Sequence, residues 1–290
     1  MRTLNEHYRQ KYGCKVYKLS LDAGMTCPNR DGTVGTGGCI FCSGFGSGEF
    51  AEGGPDPIAV QLERAKERVR SKAKDGRYIA YFQSFTNTYA PVEVLESRFR
   101  QAMEVDDIVA LAIGTRPDCL GDDVIELLSK LNQEIPIYVE LGLQTMHENS
   151  ISYIRRGYEN RVYLDAVKNL KSIGVHVITH LILGLPHETA EQMVQSTKYA
   201  VDAGTDGVKF HLLHVLKNTD LARDYQNGRF SCLTMEEYAH ILKQCIDILP
   251  PHIVVHRLTG DGAKRDLIAP LWSADKKRVL NYINKILAKQ

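Results

Sequence analysis

The 290-residue sequence predicts an α/β fold in which parallel strands alternate with helices, arranged as a barrel or as an open sheet with the helices outside. Two observations predict this fold. Strand and helix patterns alternate at least six times along the chain, at spacings that suit right-handed crossovers. No shift in composition marks a linker, and no internal repeat of useful period is present. We therefore expect one domain with terminal extensions.

The predicted elements follow one another in regular order. Strand patterns cover residues 15–22, 78–82, 108–113, 137–143, 176–183, 208–213 and 253–255. Helical patterns cover residues 58–74, 92–103, 124–131, 164–173, 189–204, 234–249 and 275–289. Two helices begin with a capping box, Thr189 with Gln192 and Thr234 with Glu237, and another ends at Gly174. This order places helices where crossovers between parallel strands need them.

Composition limits the classes of protein to which the chain can belong. Hydrophobic residues make up 43% of it, and 36 Lys and Arg residues balance 35 Asp and Glu residues, so a nucleic-acid site would have to be a local basic patch. Seven cysteines, an odd number clustered near residues 27–42, are not a disulfide framework and favour a reducing cytoplasm. No apolar run approaches membrane length, and we expect a soluble protein.

Three of the cysteines, Cys27, Cys39 and Cys42, lie within sixteen positions in a Gly-rich loop after the first predicted strand. Three thiols in such a loop can close over one metal centre, and the glycines allow the backbone to wrap it. A structural zinc site normally has four protein ligands, whereas a [4Fe-4S] cluster held by three thiolates keeps one iron open. The motif therefore indicates either such a cluster or a zinc site completed by Cys14 or a histidine.

Polar side chains follow the predicted strands at their carboxyl ends, where α/β folds collect functional residues. Glu140 and Gln144 lie four residues apart in an apolar strand, so both should project to one side and imply a polar ligand inside the fold. His211 lies in the sixth predicted strand, and packing in the core is an alternative role for it.

The cysteine segment resembles the radical S-adenosylmethionine (SAM) superfamily, in the branch related to the Elongator catalytic subunit. Cys-Pro opens that motif at residue 27, a Gly-Gly-Cys-x-Phe-Cys sequence containing Phe41 closes it, and eleven residues separate its first two cysteines. Residues 82–89, 114–118 and 256–262 are similar to stretches of a short bacterial Elongator-like group. The Glu-x-Gly-x-Gln run from Glu140 and the Gly-Leu-Pro run from residue 184 add to this resemblance, which covers residues 14–273.

The resemblance implies a partial (β/α)6 TIM-like barrel, formed by a single domain over residues 1–290. Its core would cover about residues 14–258, and a C-terminal extension residues 259–290. It also implies two cofactors, a [4Fe-4S] cluster held by the three cysteines and SAM. Contacts to the cofactors are implied for Phe41, Thr86, Glu140, Gln144 and Arg156. Thr86 stands where the superfamily usually has a Gly-Gly-Glu sequence, so its assignment is by position only.

For activity, the resemblance implies that a 5′-deoxyadenosyl radical acts on the C5 substituent of the tRNA wobble uridine, with a flavodoxin or ferredoxin as electron donor. Alternatives are a radical SAM enzyme acting on a small molecule such as a tetrapyrrole, and a zinc-binding protein without catalysis. Basic stretches at residues 64–74 and 276–289 are candidate tRNA contacts. The candidate substrate contacts are Arg116, His211, His256, Arg257, Asp261 and Lys264.

Overall fold

A computed structural model describes residues 1–44, 46, 48, 51, 56–73, 76–260, 262 and 264–288. The strands are β1 Arg2–Thr3, β2 Tyr17–Leu21, β3 Tyr78–Phe82, β4 Ile108–Thr115, β5 Ile137–Gln144, β6 His176–Leu183, β7 Gly207–Leu212, β8 Val215–Leu216, β9 Val254–Arg257 and β10 Leu267–Ala269. The helices are α1 Leu4–Tyr12, α2 Ile58–Val69, α3 Val92–Met103, α4 Asp122–Glu134, α5 Glu148–Ile154, α6 Asn160–Ser172, α7 Ala190–Asp202, α8 Asp220–Gln226, α9 Met235–Asp247 and α10 Lys276–Leu287.

Eight strands form one parallel sheet in the order β1-β9-β7-β6-β5-β4-β3-β2. The edge strands β1 and β2 do not pair with each other, so the sheet is an open, partial barrel. The predicted barrel of parallel strands is confirmed, with β1 and β9 extending it beyond six strands. A separate antiparallel pair, β8 with β10, lies outside this sheet.

The two faces of the sheet bury different side chains because successive residues of a strand point in opposite directions. Ala80 and Phe82 of β3 pack with the helices in the main hydrophobic core, whereas Ile79 and Tyr81 face the barrel interior. Leu111 and Ala112 of β4 show the same alternation, with Ala112 inside. The interior is thus lined by small, aromatic and polar groups, which leaves space within it.

Helix α1 covers the amino-terminal end of the barrel. Tyr8 is 2% exposed and packs in one apolar cluster with Ile79, Tyr138 and Ile178 from the interior. Its ring lies 6.0 Å from that of Tyr138, in an edge-to-face arrangement. Because this end is filled by side chains, the interior opens toward the carboxyl ends of the strands.

The predicted elements agree closely with the structure. β3, β6 and α3 have the predicted bounds, and both capping boxes are present at the starts of α7 and α9. Helix α2 ends at Val69, earlier than predicted, and the predicted end at residue 74 lies outside the described residues. Helices α1, α5 and α8 were not predicted. Among the described residues, no helix is both long and apolar enough to span a bilayer.

Candidate active site

A cavity of about 370 Å³ lies among the carboxyl ends of the strands and beneath the cysteine loop, residues 22–44. Its lining comes from strands β2 to β9, so it occupies the mouth and the interior of the barrel. Eleven of the residues predicted from the sequence line it, namely Cys27, Cys39, Phe41, Cys42, Thr86, Arg116, Glu140, Gln144, Arg156, His211 and Arg257. The fold therefore brings together residues that are up to 230 positions apart in sequence.

The cysteine loop is held in place by buried hydrogen bonds. Asn29, 5% exposed, donates its amide N–H to the carbonyl oxygen of Arg155 at 2.6 Å and to the Cys39 sulfur at 3.6 Å. The backbone N–H of Gly38 donates to the Asn29 carbonyl at 2.7 Å, with Gly38 at φ +72°. At Gly35 a Cβ atom would lie 2.5 Å from the Asn29 Oδ1 atom, so a larger residue would displace Asn29.

The three cysteine thiols lie near one another at the mouth of the cavity. Burial, with smaller contributions from the neighbouring Cys42 and Cys27, raises the pKa of Cys39 to about 12. Thiols arranged in this way need a strongly positive partner to become thiolates, and a metal centre supplies one. None of the seven cysteines, all of them in the described residues, forms a disulfide.

The two kinds of metal centre require different arrangements of thiols. Within the described ranges, no three His, Cys, Asp or Glu side chains are placed to hold a single metal ion. A zinc ion needs its ligands to converge within about 2.3 Å of one point, whereas in a four-iron cluster each thiolate binds a different iron. Three cysteine thiols at one rim are a donor set that fits a [4Fe-4S] cluster, with each thiolate on a different iron.

Arg156 and Arg116 form hydrogen bonds that stabilise the backbone next to the thiols. All five N–H donors of the Arg156 guanidinium have protein acceptors, at 2.8 to 3.1 Å, on Leu143, Thr145, Tyr158 and Asn160. Its predicted contact with the SAM carboxylate stays a prediction, because such a contact would have to share these donors. Arg116 donates to both carboxylate oxygens of Asp118, at 2.9 and 2.7 Å, and to the Arg156 carbonyl.

Gln144 and Thr86 lie where the backbone turns away from its strands. Gln144 has a φ of +65° at the end of β5, where the pairing with β6 is irregular. Its side chain lines the same cavity as that of Glu140, as their spacing predicts. Thr86 is 2% exposed, and its N–H donates to the Thr26 carbonyl at 3.2 Å, which joins this turn to the cysteine loop.

Glu140 is the centre of a buried ion-pair network in the barrel interior. Its Oε1 atom accepts from Lys18 at 2.5 Å, and its Oε2 atom accepts from Tyr81 at 2.7 Å, His180 at 2.8 Å and Lys209 at 2.6 Å. Both oxygens are thus occupied by protein donors. The predicted contact of Glu140 with a cofactor remains a prediction.

Burial and the neighbouring charges shift the pKa values of this network in opposite directions. Burial by itself would raise the pKa of Glu140, but Lys18, Lys209 and His180 outweigh it and hold that pKa well below its ordinary range. Burial lowers the pKa of Lys209 to about 7, against the attraction of Glu140. Burial also lowers the pKa of His180 to about 4, so its imidazole is neutral at pH 7 and donates one N–H to Glu140.

The remaining predicted substrate contacts lie in different surroundings. Arg257 and His211 line the cavity, whereas His256 and Lys264 do not. The His256 ring lies against Gly207, where a Cβ atom would come within 2.8 Å of it. Lys264 is exposed, and Asp261 lies outside the described residues.

Sequence reasoning did not single out Lys18 or His180, and it assigned no role to Lys209. Each is a polar residue within a largely apolar strand, and such a residue needs a partner when it is buried. Lys18, Glu140, His180 and Lys209 come from four different strands. A comparison of the polar residues of the different predicted strands could have identified this network.

Comparisons with known proteins agree with this geometry. The family model described as the Radical SAM superfamily matches residues 30–200, and the model of the Radical_SAM C-terminal domain matches residues 205–289. The chain is 46% identical to Bacillus subtilis YtqA over 285 residues, which cover 98% of this chain and 88% of YtqA. The boundary predicted at residue 258 stays a prediction.

Two further similarities concern Elongator-like proteins. The chain is 30% identical, over 156 residues, to a tRNA uridine(34) acetyltransferase of Methanocaldococcus jannaschii, covering 53% of this chain and 28% of that enzyme. The solved structure of Methanocaldococcus infernus Elp3 has the same fold, with a TM-score of 0.68 at 19% identity, covering 93% of this chain and 63% of Elp3. The superfamily model matches more than half of the residues of the chain, and the chain therefore belongs to the radical SAM superfamily.

Proposed function

We propose that this protein binds a [4Fe-4S] cluster through Cys27, Cys39 and Cys42 and cleaves SAM reductively. The observation that carries the proposal is the placing of three thiols at the mouth of a polar cavity that is closed at its far end. When bound and reduced, the cluster supplies the electron that splits SAM into methionine and a 5′-deoxyadenosyl radical able to abstract hydrogen from a substrate. The test is release of deoxyadenosine by anaerobic protein treated with dithionite.

The side chains of this protein position and shield the reactants. Arg30 donates to the carbonyl oxygens of Cys42 and Ser43, at 3.2 and 2.5 Å, and fixes the end of the cysteine loop. Its guanidinium lies 5.6 Å from the centre of the Phe85 ring, which covers the cavity on this side. Phe41 packs against the apolar cluster that contains Ile40 and Leu213. Together these groups limit the access of water and oxygen to the site.

We propose the tRNA wobble uridine, modified at its C5 substituent, as the substrate. Similarity to an enzyme named tRNA uridine(34) acetyltransferase supports this proposal. Of the two basic stretches, α10 is the better candidate contact. Arg64 and Lys66 of α2, and Arg70 at its C-terminal cap, are paired with carboxylates, whereas Lys277, Arg278 and Lys285 of α10 have no ion pair within the described part of the chain. A flavodoxin or ferredoxin would supply the electrons.

Comparison of wobble nucleosides by mass spectrometry, with and without the gene, tests the substrate. We expect a missing or precursor nucleoside in the deletion strain. A gene copy in which Lys277, Arg278 and Lys285 are changed to Gln should restore the modified nucleoside poorly, because tRNA binding loses three phosphate contacts. The matched triple change of Arg64, Lys66 and Arg70, whose charges are already paired, should restore it fully. An unchanged nucleoside profile on deletion would exclude the tRNA substrate.

Asn29→Ala should weaken retention of the cluster about 10- to 100-fold, because Asn29 is the hydrogen-bond donor to Cys39 and anchors the loop. The measurement is iron loss during anaerobic challenge with a chelator. Asn169→Ala, on the exposed face of α6, is the control and should retain iron like the wild type. Equal iron loss from both variants and the wild type would contradict the role assigned to Asn29.

A further inference from the structure

The barrel interior holds more positive charge than its one carboxylate can balance. Lys18, Lys209 and Arg257 come from β2, β7 and β9, and Glu140 is the only acidic side chain among the described residues that line the cavity. Both oxygens of Glu140 are already occupied by Lys18, Lys209, Tyr81 and His180. Arg257 is therefore left without a counter-charge from this network.

The sheet places Arg257 directly beside another cation. Lys209 and Arg257 are register partners in β7 and β9, and both side chains line the cavity. Like charges on neighbouring strands destabilise a sheet unless a third group balances them. Within the described residues Arg257 makes no hydrogen bond or ion pair with a side chain, and it is only partly exposed. Among the described residues, this half-buried guanidinium therefore has no anionic side chain as a partner, and burial of an unpaired charge is costly.

His211 is a second residue at this cavity with an atom that lacks a partner in the described structure. His211 lies two residues beyond Lys209 on β7, so its side chain is on the same face of the sheet and lines the cavity. Its Nε2 atom is buried and has no hydrogen-bond partner in the described structure. The ring centres of His211 and His180 are 5.0 Å apart. An imidazole nitrogen without a partner among the described residues and a cationic fork thus both line this cavity.

We infer that Arg257, with Lys209 and His211, binds an oxyanion, a carboxylate or phosphate, carried by the small molecule or nucleotide that reacts inside the barrel. A guanidinium presents paired N–H donors that match two oxygens of either group. The inference rests on the proposed function, in which a substrate lies in this cavity next to SAM. Arg257, Lys209 and His211 lie on strands of the barrel, so the oxyanion belongs to the part of the substrate that enters it, a small molecule or a single nucleotide.

Isothermal titration of the purified full-length chain with malonate, inorganic phosphate and uridine 5′-monophosphate tests the site. We expect at least one of them to bind the wild type, and Arg257→Gln to weaken that binding about 10-fold or more, because a charge-assisted hydrogen-bond pair is lost. Preference for malonate indicates a carboxylate-bearing molecule, and preference for uridine 5′-monophosphate indicates a nucleotide. Arg161→Gln, on the exposed face of α6, is the matched control and should bind like the wild type.

Thermal unfolding without ligand separates binding from folding. Arg257→Gln should be no less stable than the wild type, because the change removes repulsion from Lys209. A clear loss of stability would assign Arg257 a structural role and overturn the inference. Absence of binding by all three probes would overturn it too, as would their complete displacement by S-adenosylhomocysteine, which would assign the site to the cofactor. Deoxyadenosine release in the same preparations is a separate readout of the proposed function, so either proposal can fail alone.

Discussion

Cys39→Ala should reduce the iron content of anaerobically reconstituted protein from about four atoms per chain to near zero. Cys39 is the most central of the three loop cysteines, being held by Asn29 and lying close to both Cys27 and Cys42. A cluster bound through only two thiolates loses much of its attachment to the chain. Deoxyadenosine release should then fall to the level of protein without iron. Iron and sulfide assays, together with chromatography of the reaction products, measure both effects.

Cys232→Ala is the matched control, since Cys232 is half-buried but does not line the cavity. It should retain iron and release deoxyadenosine at the wild-type rate. Retention of four irons by the Cys39 variant would contradict the proposed ligand set. One zinc per wild-type chain, without iron, would instead support the binding protein that the cysteine spacing left open.

Glu140→Gln should lower the free energy of unfolding by about 3–5 kcal/mol, because it leaves two buried or partly buried lysines without their counter-ion. The expected loss depends on pH. The pKa of Glu140 is held below its ordinary value of 4.5, so the carboxylate contributes its stability above that pH and loses it as the pH falls. The difference between variant and wild type should therefore shrink on acidification. Urea unfolding at several pH values measures it.

Glu126→Gln, in an exposed ion pair with Lys130 on α4, is the control for Glu140→Gln. Its effect on the free energy of unfolding should be much smaller than that of Glu140→Gln, because solvent screens exposed pairs. If the two variants lost equal stability, the network around Glu140 would not be the buried, unscreened arrangement described above.

Local sequence patterns predicted the sheet well because both faces of its strands are buried. The apolar run of Tyr78–Phe82 and the longer one of His176–Leu183 have no other stable arrangement in water. Helix α1 was missed because it is polar, and only Tyr8 among its residues is buried. Its stability comes from a capping box and from packing against strands that are distant in sequence.

The site was predictable where its chemistry is contained in one segment. The cysteine loop can be predicted from residue type and spacing alone. The network around Glu140 cannot, because its residues come together only when four strands are placed in the sheet. The hydrogen bonds of Arg156 show a further limit. Motif position predicts a ligand contact for this side chain, and that contact stays a prediction, whereas its hydrogen bonds to backbone carbonyl groups are encoded by no pattern of residue types.

The plug formed by α1 has a kinetic consequence. Tyr8 and Tyr138 fill one end of the barrel, so among the described residues the cavity opens toward the carboxyl ends of the strands. A reactant bound against Arg257 and SAM bound beside the cysteine loop would then share one opening. Either of them could hinder the entry of the other, and steady-state inhibition patterns would show in which order the two bind.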